Sequence, residues 1–148
     1  MHKEAQQRGF TLLEALLTIA LISSVAAFSL PVAVSFQTGN DLDDATSAVA
    51  QGLRRAQTLS RAQENDTTWG LYVQVSSVTV FQGASYAARD ASYDEVFEIA
   101  DTITVGGLQE VVFDKLTGEP QSTGTVLLDA VNNESRSVTI NSKGAVDY

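Results

Sequence analysis

Residues 10–36 constrain the fold of this 148-residue chain more than any other segment. Nineteen of these 27 residues are apolar, and Glu14 carries the only charge. Apolar side chains would surround the axis of a helix here rather than follow one stripe, which distinguishes the segment from an ordinary core helix. The 21 residues before Pro31 would extend about 31 Å as an α-helix, close to the ~30 Å hydrocarbon layer of a bilayer. We therefore predict a transmembrane helix over residues 10–36.

The charges on either side of this segment predict its topology. Residues 1–9 are short and polar, with Lys3 and Arg8 against Glu4, whereas residues 37–148 carry 7 basic and 16 acidic side chains. Because basic residues stay in the cytoplasm, the N-terminus should lie inside and residues 37–148 outside. An ordinary secretory signal would instead be cut after the apolar region, within residues 23–27. The predicted organisation is a leader at 1–9, an apolar helix at 10–36 and a soluble head at 37–148.

The junction between leader and apolar segment carries a specific motif, Arg8-Gly9-Phe10-Thr11-Leu12-Leu13-Glu14. It resembles the processing signature of type IV prepilins and type II secretion pseudopilins: a basic leader, Gly, usually Phe, three apolar or small residues, then Glu. The resemblance implies that a prepilin peptidase cuts between Gly9 and Phe10 and methylates the new amine of Phe10. It also implies a single-pass precursor in the cytoplasmic (inner) membrane that joins other pilin or pseudopilin subunits in a periplasmic or extracellular filament.

Two further residues of the apolar segment have expected roles in filament assembly. An acidic residue at the centre of a bilayer costs about 2.5–3.5 kcal/mol on insertion scales. Glu14 lies near the cytoplasmic edge, which reduces this cost but does not remove it. The resemblance implies that Glu14 pairs with the Phe10 amine of a neighbouring subunit and sets the register between helices. The alternative is a Glu14 that contacts water at the membrane interface. Pro31 lacks an N–H and either kinks the helix or marks its end.

The head begins with a predicted amphipathic helix. After Gly39-Asn40, Asp41 is a suitable N-cap, and the run that starts there lacks the Gly and Glu of a calcium loop. Apolar residues then recur at three- and four-residue steps and form one stripe: Leu42, Ala45, Val49, Leu53, Ala56 and Leu59.

From Trp69 onward the apolar residues alternate with period two, which predicts strands. After the first predicted strands, which begin at Trp69, further pairs of apolar residues are spaced two positions apart: Phe97/Ile99, Ile103/Val105, Val111/Phe113, Val126/Leu128 and Val138/Ile140. Residues 83–95 are predicted as a longer ordered loop. Strands joined by short turns pair antiparallel. The predicted fold class is α+β, with a long N-terminal helix packed on an antiparallel sheet, as in the pilin fold.

The head resembles the GspH/FimT-type branch of pseudopilins. The similar segments are residues 53–57 in the helix, 69–73 at the first strand, 112–118, and 138–144 near the C-terminus. Many pilins close a C-terminal loop with a disulfide, but this chain has no Cys. Packing and backbone hydrogen bonds should therefore hold its C-terminal strands.

No enzymatic chemistry is expected. The only His, His2, lies in the leader, so the mature chain lacks a Ser-His or Cys-His nucleophile. Asp94 and Glu95 are the one carboxylate pair considered for acid–base work, and no cofactor or metal site is predicted.

The main alternative function is a binding module, a minor pilin at a filament tip that takes part in DNA uptake or adhesion. Nucleic-acid binding depends on basic residues, and the C-terminal region offers only Arg136 and Lys143. Arg54, Arg55 and Arg61 on the helix form either a nucleic-acid patch or a face that contacts water or acidic neighbouring subunits. Major pilin, minor pilin and pseudopilin are not separable from the sequence.

Overall fold

A computed structural model of the protein describes residues 9–148, except for the side chains of residues 28–35. The chain divides into two compact units, with the division between Phe36 and Gln37. Helix α1 spans Leu12–Ala62. All the β-strands among the described residues belong to the second unit, Gln37–Tyr148. The predicted α+β class, a helix packed on antiparallel sheets as in pilins, is confirmed.

Helix α1 is longer than the sequence signals indicate. It runs through Gly39 and Asn40, so the predicted second helix start with Asp41 as N-cap is wrong. A glycine inside a helix costs about 1 kcal/mol, but Thr38 and Leu42 on either side are buried in the head. Packing of these two residues outweighs the local preference for a break. Because α1 also continues through position 31, Pro31 does not mark a helix end.

The predicted apolar stripe of α1 is confirmed. Leu42, Ala45, Val49, Leu53, Ala56 and Leu59 are all buried, none of them more than 7% exposed. Gly52 lies beside the stripe, where an added Cβ would come within 2.5 Å of Leu71 Cδ1. The glycine thus allows the helix backbone to approach the sheet closely.

Eight strands follow the helix in chain order: β1 Trp69–Gln74, β2 Ser77–Gln82, β3 Asp90–Glu98, β4 Ile103–Gly107, β5 Glu110–Phe113, β6 Gly124–Ala130, β7 Ser135–Ile140 and β8 Val146–Asp147. They form two four-stranded antiparallel sheets, in the orders β3-β2-β1-β5 and β4-β6-β7-β8. One sheet was the sequence expectation. The chain crosses between the sheets three times, from β3 to β4, from β4 to β5 and from β5 to β6. Hydrophobic periodicity carries no information about such crossings.

The prediction of a loop at residues 83–95 is partly wrong. It contains a short 3-10 helix, Tyr86–Ala88, but β3 begins at Asp90 and pairs with β2 through Glu95↔Val80. Strand β3 lies at the edge of its sheet and is largely exposed. An exposed strand has no buried face to enforce alternation of apolar and polar residues, so the period-two signal is missing.

Side chains from the last turns of α1 hold the C-terminal half of the head. Gln57 Nε2 donates to the carbonyl of Gly118 at 2.9 Å, and Arg61 Nε donates to the carbonyl of Thr117 at 3.1 Å. The buried Ser60 hydroxyl accepts from the Trp69 N–H at 3.0 Å. The sequence predicted that packing and backbone hydrogen bonds would replace a disulfide. The side-chain hydrogen bonds from α1 add a further stabilising contact that the sequence did not predict.

Candidate functional site

The predicted cleavage site lies just outside the helix. Gly9 and Phe10 precede α1 and have no regular secondary structure. The Phe10 side chain is 81% exposed, and no described atom lies within 4 Å of the position that a Cβ on Gly9 would occupy. A protease needs an open, non-helical peptide bond, and the bond between these two residues meets that requirement.

Thr11 caps the helix immediately after this junction. Its Oγ1 accepts a hydrogen bond from the Glu14 N–H at 3.3 Å, and its carbonyl accepts the N–H of Ala15 at 3.1 Å. This is the geometry of an N-cap residue, which satisfies one of the free N–H groups of the first turn. The pattern Thr-x-x-Glu at residues 11–14 is a known start signal for helices. Sequence reasoning could have found it but assigned Glu14 only to assembly.

Glu14 lies in the first turn of α1 and is exposed. The positive end of the helix dipole favours an anion at this position. Among the described residues, no side chain or backbone group forms a hydrogen bond or ion pair with its carboxylate. Within the described part of the chain, the carboxylate is available to pair with a group from another molecule.

The surface around Glu14 is almost entirely apolar. Nine large apolar side chains are each 58–81% exposed: Phe10, Leu12, Leu13, Leu16, Leu17, Ile19, Leu21, Ile22 and Val25. Exposed apolar surface of this extent is rare on a soluble monomer and marks a region that contacts protein or lipid.

The polar side chains within this surface satisfy their own hydrogen bonds. Thr18 Oγ1 donates to the carbonyls of Glu14 and Ala15, both at 2.9 Å, and Ser24 Oγ donates to that of Ala20 at 2.8 Å. A hydroxyl bonded back to its own helix has little need for water. The segment therefore suits an apolar environment.

No helix in the described part of the chain is both long enough and apolar enough to qualify as a membrane span.

The second residue with a predicted assembly role, Pro31, lies inside α1. Its side chain is outside the described residues, so the predicted kink stays a prediction.

Asp94 and Glu95, the two carboxylates considered for catalysis, form ion pairs with different arginines. Asp94 pairs with Arg89, and Glu95 pairs with Arg55, each at 2.8 Å. Successive strand residues point to opposite faces of a sheet, which separates these two carboxylates. The hydrogen bonds that Arg55 donates to Glu95, together with the carboxylate's negative charge, raise the pKa of Arg55. Within the described residues, no group of three or more His, Cys, Asp or Glu side chains has metal-binding geometry.

The arginines considered for nucleic-acid binding are engaged within the head. Arg55 is ion-paired, Arg54 lies over the Tyr148 ring at 5.3 Å, and Arg61 bonds to the backbone. Five of the seven basic residues of the head form ion pairs: Arg55, Arg89, Lys115, Arg136 and Lys143. The exposed charge of the head is thus mainly acidic.

Comparison with protein families identifies the N-terminal region. Residues 5–30 match the prokaryotic N-terminal methylation motif. This motif is the signature of type IV pilins and pseudopilins, and it supports a pilin-like or pseudopilin subunit. The signature implies processing by a prepilin peptidase and a membrane-anchored precursor that assembles with other pilin subunits. Comparison with characterised proteins and with solved structures gives no significant match.

Proposed function

We propose that this protein is a structural subunit of a type IV pilus or type II secretion-type filament. In this proposal the peptidase cuts between Gly9 and Phe10 and methylates the Phe10 amine. The precursor is held in the inner membrane by residues 10–36, with the head outside, and leaves the membrane when α1 enters the filament core. The resemblance of the head's sequence to the GspH/FimT-type branch favours a minor or pseudopilin role.

Glu14 is the observation that carries this proposal. It is the only charged residue of the apolar segment, and its carboxylate lies exposed and without a partner among the described residues. A lone carboxylate surrounded by apolar side chains is costly unless an opposite charge joins it. Cleavage would create such a charge, the amine of Phe10, on every subunit. A pair between neighbouring subunits is short and directional, so it would fix the axial register of the helices.

Substitution of Glu14 by Gln tests this role, because it keeps the size of the side chain and removes the charge. We expect the Glu14→Gln subunit to be inserted and processed normally, while the filaments sheared from cells decrease by about tenfold or more, the scale of one lost charged contact. Immunoblots of membrane and filament fractions measure both quantities. Glu4→Gln is the matched control, since the leader is absent from the filament. A normal filament yield from Glu14→Gln contradicts the assigned role.

We do not favour the DNA-binding alternative. A phosphate-binding surface needs several available cations on one face, and most cations of this head are in internal ion pairs. Salt-dependent DNA binding by the purified chain would overturn this preference.

A further inference from the structure

A cleft in the head lies between the C-terminal end of α1 and the edge strand β3. Its lining includes Arg55, Leu59, Glu64, Trp69, Tyr93 and Glu95, and its volume is about 400 Å³. We call it the α1–β3 cleft. The size is within the usual range for binding pockets, and neither processing nor helix-mediated assembly makes use of it.

The chemistry of the α1–β3 cleft suits a positively charged side chain with an aliphatic stem. Tyr93, which is 45% exposed, supplies most of the accessible apolar surface, because Leu59 and Trp69 in the same lining are buried. The Tyr93 ring meets the Trp69 ring edge to face at 6.5 Å. Glu64 and Glu95 supply two carboxylates, of which only Glu95 is paired, with Arg55. A lysine or arginine stem would lie on the apolar surface, with its charge near Glu64 and the electron-rich face of Tyr93.

The adjoining strand edge provides a second, independent feature. Strand β3 is hydrogen-bonded only to β2, so the backbone groups on its other side have no strand partner in the described chain. Such an edge accepts an extended peptide as an additional strand. Tyr93 and Glu95 belong to both features, since they are β3 residues that line the cleft. Alternate side chains of an added strand would point toward the cleft side of the sheet.

The charges of this region select the kind of peptide. Five carboxylates lie on β3 and in the cleft, against two guanidinium groups: Asp90, Asp94, Glu95, Glu98 and Glu64, with Arg55 and Arg89. A second copy of β3 would place like charges opposite one another, which is unfavourable. The two basic residues of the head outside ion pairs, Arg54 and Arg61, lie on helix α1 and not on an extended segment. The occupant is therefore another protein.

We propose that the edge of β3 and the α1–β3 cleft together bind an extended, basic segment of a partner protein by strand addition. Lysine or arginine side chains at alternate positions of the segment point toward the cleft side of the sheet, and one of them enters the cleft. This surface is separate from the apolar segment of α1, so the proposal holds for the isolated chain whether or not it forms filaments.

Binding of labelled peptides to the full chain in nonionic detergent micelles tests the proposal. The first probe is a nine-residue peptide of alternating Lys and Thr, matched to the nine residues of β3. The second has the same sequence with alternate backbone nitrogens methylated, which keeps the charge and removes strand hydrogen bonds. The third alternates Glu and Thr. Fluorescence anisotropy should show binding of the first peptide, at least about tenfold weaker binding of the second, and none of the third, because both backbone and charge contribute. Micelles alone provide the blank.

A pair of protein variants localises the site. Glu64→Lys reverses a charge in the cleft, whereas Asp129→Lys makes the same change on β6 of the other sheet. We expect Glu64→Lys to weaken binding about tenfold, as for a lost charge-assisted contact, and Asp129→Lys to weaken it less than twofold. The emission of Trp69 confirms that each variant is folded. Absence of binding, equal binding of the methylated peptide, or equal effects of the two variants would each overturn the proposal.

Discussion

The Ser60 hydroxyl should contribute a large share of the stability of this head. Ser60 is fully buried near the end of α1 and connects the helix to both β1 and β5. It accepts the Trp69 N–H at 3.0 Å and donates to the Phe113 carbonyl at 3.2 Å. The Ser60→Ala variant loses both bonds with almost no change in volume. A buried polar group that loses its partner costs about 1–3 kcal/mol, and we expect the free energy of unfolding to fall by about 2 kcal/mol.

Urea unfolding followed by fluorescence measures this loss. Trp69 is the only tryptophan, is 3% exposed and is bonded directly to Ser60, so its emission reports on the head. At about 4 °C per kcal/mol, the melting temperature should fall by about 8 °C. Thr58→Ala is the matched control, because that exposed hydroxyl bonds only to the carbonyl of Arg54 in its own helix. The control should change stability by less than about 0.5 kcal/mol. Equal losses in the two variants would refute the role of Ser60 in linking the helix to the sheet that contains β1 and β5.

Three further variants test other contacts by the same unfolding measurement. Gly70→Ala should lose about 2–3 kcal/mol by overpacking, because its Cβ would lie 2.5 Å from Phe81 Cζ and 2.8 Å from a backbone carbonyl; an unchanged stability contradicts this. Gln57→Ala should lose about 1–2 kcal/mol through its bond to the Gly118 carbonyl, and wild-type stability would show that this bond is dispensable. The hydrogen bond that Lys143 donates to Glu119 raises the pKa of Lys143. The pair therefore stabilises the fold below about pH 10.4 and loses this contribution as pH rises through the higher folded-state pKa. Lys143→Met should therefore have a shallower alkaline loss of stability than wild type, and identical slopes would contradict the pairing.

Much of the fold follows from the sequence because burial imposes a period. The stripe from Leu42 to Leu59 is predicted by its three- and four-residue steps, and these residues are buried in the structure. Strands β6 and β7 bury alternate residues for the same reason, whereas β1, β2 and β5 are buried along most of their length. Strand β3 lacks a buried face. The local sequence pattern therefore predicted a loop at residues whose backbone pairs with β2 in the structure.

Features set by tertiary contacts could not be predicted from local signals. Gly39 and Asn40 indicate a helix break, but burial of the flanking residues keeps α1 intact. The separation into two sheets depends on three backbone crossings, between β3 and β4, β4 and β5, and β5 and β6. The roles of Gln57 and Ser60 depend on which distant carbonyls the fold brings to them.

The candidate site was predictable in its chemistry and only partly in its geometry. The Gly9-Phe10 junction and Glu14 stand out because each is unusual beside an apolar segment. The capping role of Thr11 needed only the Thr-x-x-Glu spacing. The α1–β3 cleft, in contrast, joins residues from Arg55 to Glu95 and becomes visible only when helix and strand are packed together.

The mass of the mature N-terminus tests the central claim most directly. The chain should be purified from the membranes or filaments of cells that contain a prepilin peptidase, and its N-terminal peptide analysed by mass spectrometry. We predict a chain that begins at Phe10 with a methylated amine. A chain that begins at Met1, or one cut after Ala26 or Ala27, would contradict the account.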